Sequence, residues 1–295
     1  MDSQVTNSNI LDGKASSASI LEQLKPRVAE IAKQNHGTPP GLATILVGED
    51  PASHVYVRNK RRACENVGLQ NFHYELAADA GQQKLLELVD ELNNNPEVDG
   101  ILVQLPLPKG FDYDESQVLV AINPAKDADG FHPVNQGALM QGTKAPVPCT
   151  PKGVMYLLNE VCADGSAKHA VVVGRSNIVG KPVAMLLLSK NFTVTMCHSR
   201  TADLASEVAR ADVVVAAVGV AKLIKGEWVK PGAIVLDVGI NRTEDGKLVG
   251  DVDFASACQK ASHITPVPGG VGPMTIAMLL SNTVEAAEQR LGINA

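Results

Sequence analysis

Apolar runs of strand length alternate with helix-length patterns along nearly the whole chain, and this alternation limits the fold more than any other feature. GLATILVG (41–48), FHYELA (72–77) and VDGILVQLPLP (98–108) read as strands, the last breaking at its prolines. Between them lie a helix over 54–67, stopped by Gly68, and an amphipathic helix over 81–94. An earlier helix near 15–35 carries Pro26, which is expected to kink or divide it. A Pro-rich join, APVPCTPKG (145–153), leads into a helix over 152–162. A second series follows: AVVVG (170–174), FTVTMC (192–197), DVVVAAVG (212–219) and AIVLDVG (233–239), with helices between the first three. An apolar helix over 274–290 ends the pattern. Such βα alternation implies parallel sheets covered by helices. The expected fold class is α/β, with two α/β domains flanking a cleft and joined near residue 148. In open α/β sheets ligands bind at the carboxyl ends of strands, so the loops after Gly48, Gln104, Gly174 and Cys197 are the first candidates.

Composition narrows the function classes. A length of 295 residues suits two domains. Lys and Arg number 26 against 32 Asp and Glu, a net charge of −6 that argues against a nucleic-acid binder. Aromatic residues make up 3%, too few for stacking platforms on single strands. No run approaches the ~18 apolar residues of a membrane span. The opening MDSQVTNSNILDGKASS has neither a basic n-region nor an apolar h-region. A soluble, cytoplasmic protein with no membrane or nucleic-acid partner is expected. The cysteines, Cys64, Cys149, Cys162, Cys197 and Cys258, are odd in number and form no C-x-x-C pair. They read as small, mostly buried apolar residues rather than zinc ligands or disulfides. The His residues show no metal-binding spacing either, so no metal site is expected.

AVVVGRSNIVGKPVAMLLL reads as strand, glycine turn, then helix. Its turn, Gly174 to Gly180, departs from G-x-G-x-x-G, yet Gly174 permits a tight turn and Gly180 close helix packing. Amides at that helix start are expected to face a pyrophosphate. An NAD enzyme usually places a carboxylate at the end of the next strand. Here the strand ends Cys197-His198-Ser199-Arg200-Thr201, which with Arg175 suits a 2′-phosphate and favours NADP. A solvated polar loop has the same composition.

On the substrate side, Ser53, Tyr56 and Lys60 share one helix face, three and four residues apart. The ring can stack on a ligand and the ammonium can move a proton, although with Arg58, Arg61 and Arg62 alongside Lys60 the spacing alone favours a solvated basic face. Gln104 lies inside the apolar run ILVQLPLP and needs hydrogen-bond partners, structural or ligand. Asp127 and Asp129 stand in a short loop closed by Gly130, where aspartates commonly cap turns. PVPGGVGP (266–273) offers backbone that a flat ligand can approach closely, or a hinge.

Five motifs, VGEDPASHVYVRNK, DGILVQLPLP, PAKDADGF, VVVGRSNIVGKP and TPVPGGVGPMT, carry a resemblance. From Ile10 to Leu291 the chain resembles the bifunctional methylenetetrahydrofolate dehydrogenase/methenyltetrahydrofolate cyclohydrolases of the bacterial type. The resemblance implies that Lys60 is the catalytic lysine, that Tyr56 stacks on the pterin, that Gln104 positions the lysine, and that Asp129 hydrogen-bonds the pterin. It implies that Ser53, Val103, Leu105 and the loop Pro268, Gly269, Gly270, Val271 and Gly272 line the folate pocket. It assigns Gly174, Arg175, Ser176, Ile178, Ser199, Arg200 and Ile240 to NADP contacts, and no metal. The domains implied are 1–148 plus 274–295 for folate and 149–273, Rossmann-like, for NADP, with a homodimer formed through the latter. His132 and Pro133 follow DGF at a place where relatives vary.

The implied function is oxidation of 5,10-methylenetetrahydrofolate with NADP⁺ and hydrolysis of the methenyl product to 10-formyltetrahydrofolate. That interconversion of one-carbon units feeds purine, histidine and methionine synthesis. A shikimate-type NADP dehydrogenase leaves the Tyr56 and Lys60 pair and GILVQLPLP unexplained. A non-catalytic NADP-binding protein leaves the presence of Lys60 and Asp129 unexplained.

Overall fold

The computed structural model describes residues 9–293. The first eight residues of the opening segment read above, and the last two of the expected 274–295 segment, lie outside the described residues. The chain divides into two units, one of residues 18–149 and 276–295, the other of residues 1–17 and 150–275.

The first unit is built on a parallel sheet of order β2-β1-β3, with β1 at Gly41–Val47, β2 at Gln70–Leu76 and β3 at Gly100–Val103. All seven residues of β1 are buried, as a central parallel strand requires. Ala43, Ile45, Val47, Ile101 and Val103 point to one face. There Leu85, Val89 and Leu92 of the helix Gln82–Asn94 close the core. β3 ends at Val103, before the prolines, and the Gln104 amide still donates to the Ile45 carbonyl (2.9 Å).

The helix Gly13–Gln34 runs through Pro26 without being divided. Its stripe Ile20, Leu24, Val28 and Ile31 is buried, and this packing offsets the backbone hydrogen bond that proline removes. The helix Pro51–Val67 starts three residues earlier than expected. Asp50 caps it by accepting from the Ser53 amide (2.8 Å), and Pro51 occupies the first turn, where no amide is needed. Gly68 (φ 84°) ends it, donating to the Cys64 and Glu65 carbonyls. The short helices Glu115–Ala121 and Pro133–Gln141 were not anticipated.

The second unit carries a five-stranded parallel sheet. Its strands are β4 (His169–Val173), β5 (Thr193–Cys197), β6 (Val213–Ala216), β7 (Ile234–Asp237) and, beyond the hairpin β8 (Asn241–Arg242) and β9 (Leu248–Val249), β10 (His263–Ile264). The order β10-β7-β6-β4-β5 makes the chain cross back over β4 between β5 and β6. The carboxyl end of β4 is therefore a switch point, where such sheets bind ligands. The segment just after Asn9 belongs here rather than to the first domain as expected. Leu11 donates to the Ile264 carbonyl (3.0 Å) and Ile10 bridges to Ile264, extending the β10 edge. β8, β9 and β10 are two residues each, too short to leave a periodic signal.

Four of the five cysteines are buried and all are free. Burial pushes the Cys64 thiol up to about 12, which makes it inert. Among the described residues no three acidic, His or Cys side chains gather as a metal site, and no helix is long and apolar enough to cross a membrane.

Candidate functional site

In the three-stranded unit the candidate residues sit at the carboxyl ends of β1 and β3. The helix after β1 presents Ser53, Tyr56 and Lys60 on one face; Ser53 and Lys60 are buried while the Tyr56 ring is 47% exposed. Lys60 Nζ donates to Gln104 Oε1 (3.0 Å), and Gln104 Nε2 donates to the Leu105 carbonyl (2.7 Å). The amide of Gln104 is thereby turned with its oxygen toward the lysine. Leu105–Pro106 is a cis peptide.

The loop bearing Asp129 lies beside β3, where Asp127 bridges to Ile101. Asp127 is structural: it accepts from the amides of Gly130 (3.0 Å) and His132 (2.8 Å) and from Asn135 Nδ2 (2.9 Å). Gly130 (φ 73°) turns the chain where any Cβ would collide with the Val147–Pro148 backbone. Asn282 Nδ2 donates to the carbonyls of Ala128 and Val147 (both 2.9 Å), holding the strand of chain that delivers Asp129. Burial pushes the Asp129 carboxyl up to about 6, against the opposing pull of the Lys60 charge.

In the five-stranded unit a cavity of about 520 Å³ opens at the carboxyl ends of β4, β5 and β6. Gly174, Arg175, Ser176 and Ser199, the candidate cofactor contacts, line it. Ile178, Arg200 and Ile240 do not line it. A Cβ at Gly174 would collide with the Ala217 carbonyl, and one at Gly180 with the Gly174 backbone, so glycine is required at both ends of the turn. One expectation changes. The amides of Val179 (3.1 Å) and Gly180 (3.3 Å) donate to Ser176 Oγ, and that of Lys181 to the Ser176 carbonyl (3.1 Å). The first turn of the helix Gly180–Ser189 is thus capped from within rather than presented to a phosphate. No described residue lining the cavity bears a carboxylate, and Arg175 and Ser199 supply a cation and a hydroxyl.

The 268–272 loop also belongs to this unit. Val267–Pro268 is cis, Gly269 has φ 108°, and the Gly270 amide donates to the Pro266 carbonyl (2.8 Å).

Residues 11–129 match the family profile for the tetrahydrofolate dehydrogenase/cyclohydrolase catalytic domain, and residues 148–291 the profile for the NAD(P)-binding domain of the same enzymes. A bifunctional protein FolD of Magnetococcus marinus is 60% identical over 281 residues, 95% of this chain and 98% of that protein. The chain belongs to the tetrahydrofolate dehydrogenase/cyclohydrolase family. Among solved structures, the FolD methylenetetrahydrofolate dehydrogenase/cyclohydrolase of Campylobacter jejuni superposes with a TM-score of 0.91 at 49% identity, covering 95% of this chain and 99% of that one. The Trypanosoma brucei FolD, solved with NADP cofactor and an inhibitor, gives 0.90 at 41% identity, covering 97% and 98%.

Sequence reasoning missed part of the lining of this cavity. His198, Thr201, Val218, Val220 and Leu223 also line the cavity. Two buried acids behind it, Asp237 and Asp251, passed unnoticed because each lies beside an apolar run and reads as a turn residue. Burial pushes the Asp237 carboxyl up to about 7, although it accepts from the amides of Gly239, Asp251 and Val252.

Proposed function

We infer that the chain oxidises 5,10-methylenetetrahydrofolate to the methenyl derivative with NADP⁺ and hydrolyses that product to 10-formyltetrahydrofolate. The observation that carries this is the buried Lys60 ammonium held by the neutral Gln104 amide, with Asp129 close enough for its carboxyl to feel the lysine charge. The exposed Tyr56 ring, on the same helix face, gives a pterin a surface to stack on. Asp129 accepts hydrogen bonds from the pterin, and Lys60 moves the proton that hydration requires. Ser53, Val103 and Leu105 complete the substrate set, and the 268–272 loop joins it on the family resemblance alone. NADP⁺ supplies the hydride acceptor, and Gly174, Arg175, Ser176 and Ser199 hold it, with Ile178, Arg200 and Ile240 as outer contacts.

The test uses the purified chain. With methylenetetrahydrofolate and NADP⁺, NADPH should appear; with methenyltetrahydrofolate alone, 10-formyltetrahydrofolate should appear. Absence of both overturns the assignment.

Asp129 makes folate binding pH-dependent. Below its raised pKa of about 6 the carboxyl is protonated and loses acceptor capacity. The KM for methylenetetrahydrofolate should rise as pH falls through about 6, and Asp129→Asn should flatten the profile. A wild-type KM that stays constant across that range would remove Asp129 from pterin binding.

The same reading includes a cytoplasmic enzyme that forms a homodimer through the five-stranded unit. Strand β5 supports it: among the described strands it pairs only with β4, leaving one edge open. Light scattering should give twice the chain mass of 31.1 kDa, and a monomer at micromolar concentration counts against it.

A further inference from the structure

Asp251 is wholly buried, and its carboxylate accepts four hydrogen bonds. Its Oδ2 accepts from the amides of Val218 (2.6 Å) and Gly219 (3.0 Å), and its Oδ1 from the Val220 amide (2.9 Å) and Asn241 Nδ2 (2.9 Å). Three consecutive amides thus converge on one carboxylate, in a turn that Gly219 (φ 68°) allows. Ala217, Val218 and Val220 of this turn form one wall of the cavity at the ends of β4, β5 and β6. Behind Asp251, Asp237 accepts from the amides of Asp251 (2.9 Å) and Val252 (2.9 Å), which fixes the backbone on both sides. A Cβ at Gly239 would collide with the Asp251 carboxylate and one at Gly250 with that of Asp237, so the two acids fill spaces that glycine leaves for them.

A buried carboxylate is costly unless donors surround it, and the donors here come from the 218–220 backbone, whose Val218 and Val220 line the cavity, and from Asn241. We propose that Asp251 is a positioning residue for the dinucleotide: it touches no ligand itself but sets the 217–220 wall against which the cofactor lies. This rests on reading the cavity as the NADP⁺ site. The amide of Asn at 251 would turn an NH₂ toward one pair of donors, replacing two acceptances with a donor–donor clash and loosening the wall.

The experiment compares wild type, Asp251→Asn and Asn241→Ala as the full chain. It measures NADP⁺ and NAD⁺ dissociation constants by calorimetry, the dehydrogenase KM and kcat, and hydrolysis of methenyltetrahydrofolate with no nucleotide present. Asp251→Asn should weaken both NADP⁺ and NAD⁺ about tenfold, since Ala217, Val218 and Val220 offer no cation that would tell a 2′-phosphate from a hydroxyl. Asn241→Ala, which leaves Asp251 three donors, should weaken both by about threefold. Hydrolysis, which needs no cofactor, should stay within about twofold of wild type in both variants. Unchanged nucleotide affinities, or hydrolysis falling in step with nucleotide binding, overturn the proposal. If Asp251→Asn does not fold, Asn241→Ala decides by the same criteria. A wild-type protein that binds neither nucleotide overturns the cofactor reading itself, an outcome distinct from equal binding by wild type and variants.

Discussion

Lys60→Gln is expected to lose methenyltetrahydrofolate hydrolysis by about 10²-fold or more, while the dehydrogenase stays measurable and methenyltetrahydrofolate accumulates. The two activities ask different things of the same side chain. Breaking the C–H bond of the methylene bridge moves no proton, because the neighbouring nitrogen lone pair expels the hydride. That step needs the substrate held in place, the role proposed above for Tyr56 and Asp129 and one that does not require the lysine. In hydration, water must lose a proton and the departing ring nitrogen must gain one. Lys60 Nζ is buried and aimed by Gln104 Oε1 at 3.0 Å, and the Gln104 amide is itself locked by its bond to the Leu105 carbonyl at 2.7 Å. A glutamine at 60 keeps the polarity and much of the length but carries no transferable proton in this range. Both rates are to be measured on one preparation whose melting temperature matches wild type. A cyclohydrolase left near the wild-type rate would remove Lys60 from proton transfer. Gln104→Ala should move in the same direction by a smaller factor, because the lysine would remain but lose its anchor.

The helix carrying Lys60 was legible because its face spacing, its glycine stop and the preceding apolar strand are all local signals. Its start was placed late because the Asp50 cap and the proline in the first turn are polar and precede the apolar pattern. Gln104 stood out as a polar residue in an apolar run, and its partner is the lysine that the spacing had already marked. Asp127 and Asp129 look alike in sequence. Only the fold separates them, giving Asp127 three structural donors and leaving Asp129 beside the Lys60 charge. Asp237 and Asp251 were illegible for a related reason: their partners are backbone amides, which every sequence supplies and no motif records. The glycine turn after β4 was legible as a turn. That Ser176 would take the helix amides for itself was not, since the serine also suits a ligand contact. The two-residue strands and the attachment of Leu11 to Ile264 depend on distant pairing, which carries no periodicity to read.

Cofactor choice gives the second large effect. Arg175→Ala should weaken NADP⁺ about tenfold to a hundredfold while changing NAD⁺ by no more than about threefold. Arg175 follows the last buried residue of the β4 turn and lines the cavity with Ser199, which comes from the end of the neighbouring strand β5. Two adjacent strand ends thus bring a guanidinium and a hydroxyl to one side of the switch point, where an NAD enzyme would place a carboxylate for the ribose. A hydrogen bond between a guanidinium and a phosphate is worth about 1.5–3 kcal/mol, and NAD⁺ has no phosphate there to lose it. Gly174, Val218 and Val220 line the same cavity but offer no cation to a 2′-phosphate, so on the proposed reading the ratio of kcat/KM for NADP⁺ to that for NAD⁺ isolates the arginine. Arg200 stands outside the cavity lining, with its amide donating to His198 Nδ1 at 3.1 Å, so Arg200→Ala should change that ratio by no more than about threefold. Raising the salt concentration should weaken NADP⁺ more than NAD⁺ in the wild type, and the difference should shrink in Arg175→Ala because screening acts on the lost pair. Equal losses of the two nucleotides in that variant would make Arg175 a prop of the turn instead of the reader of the 2′-phosphate.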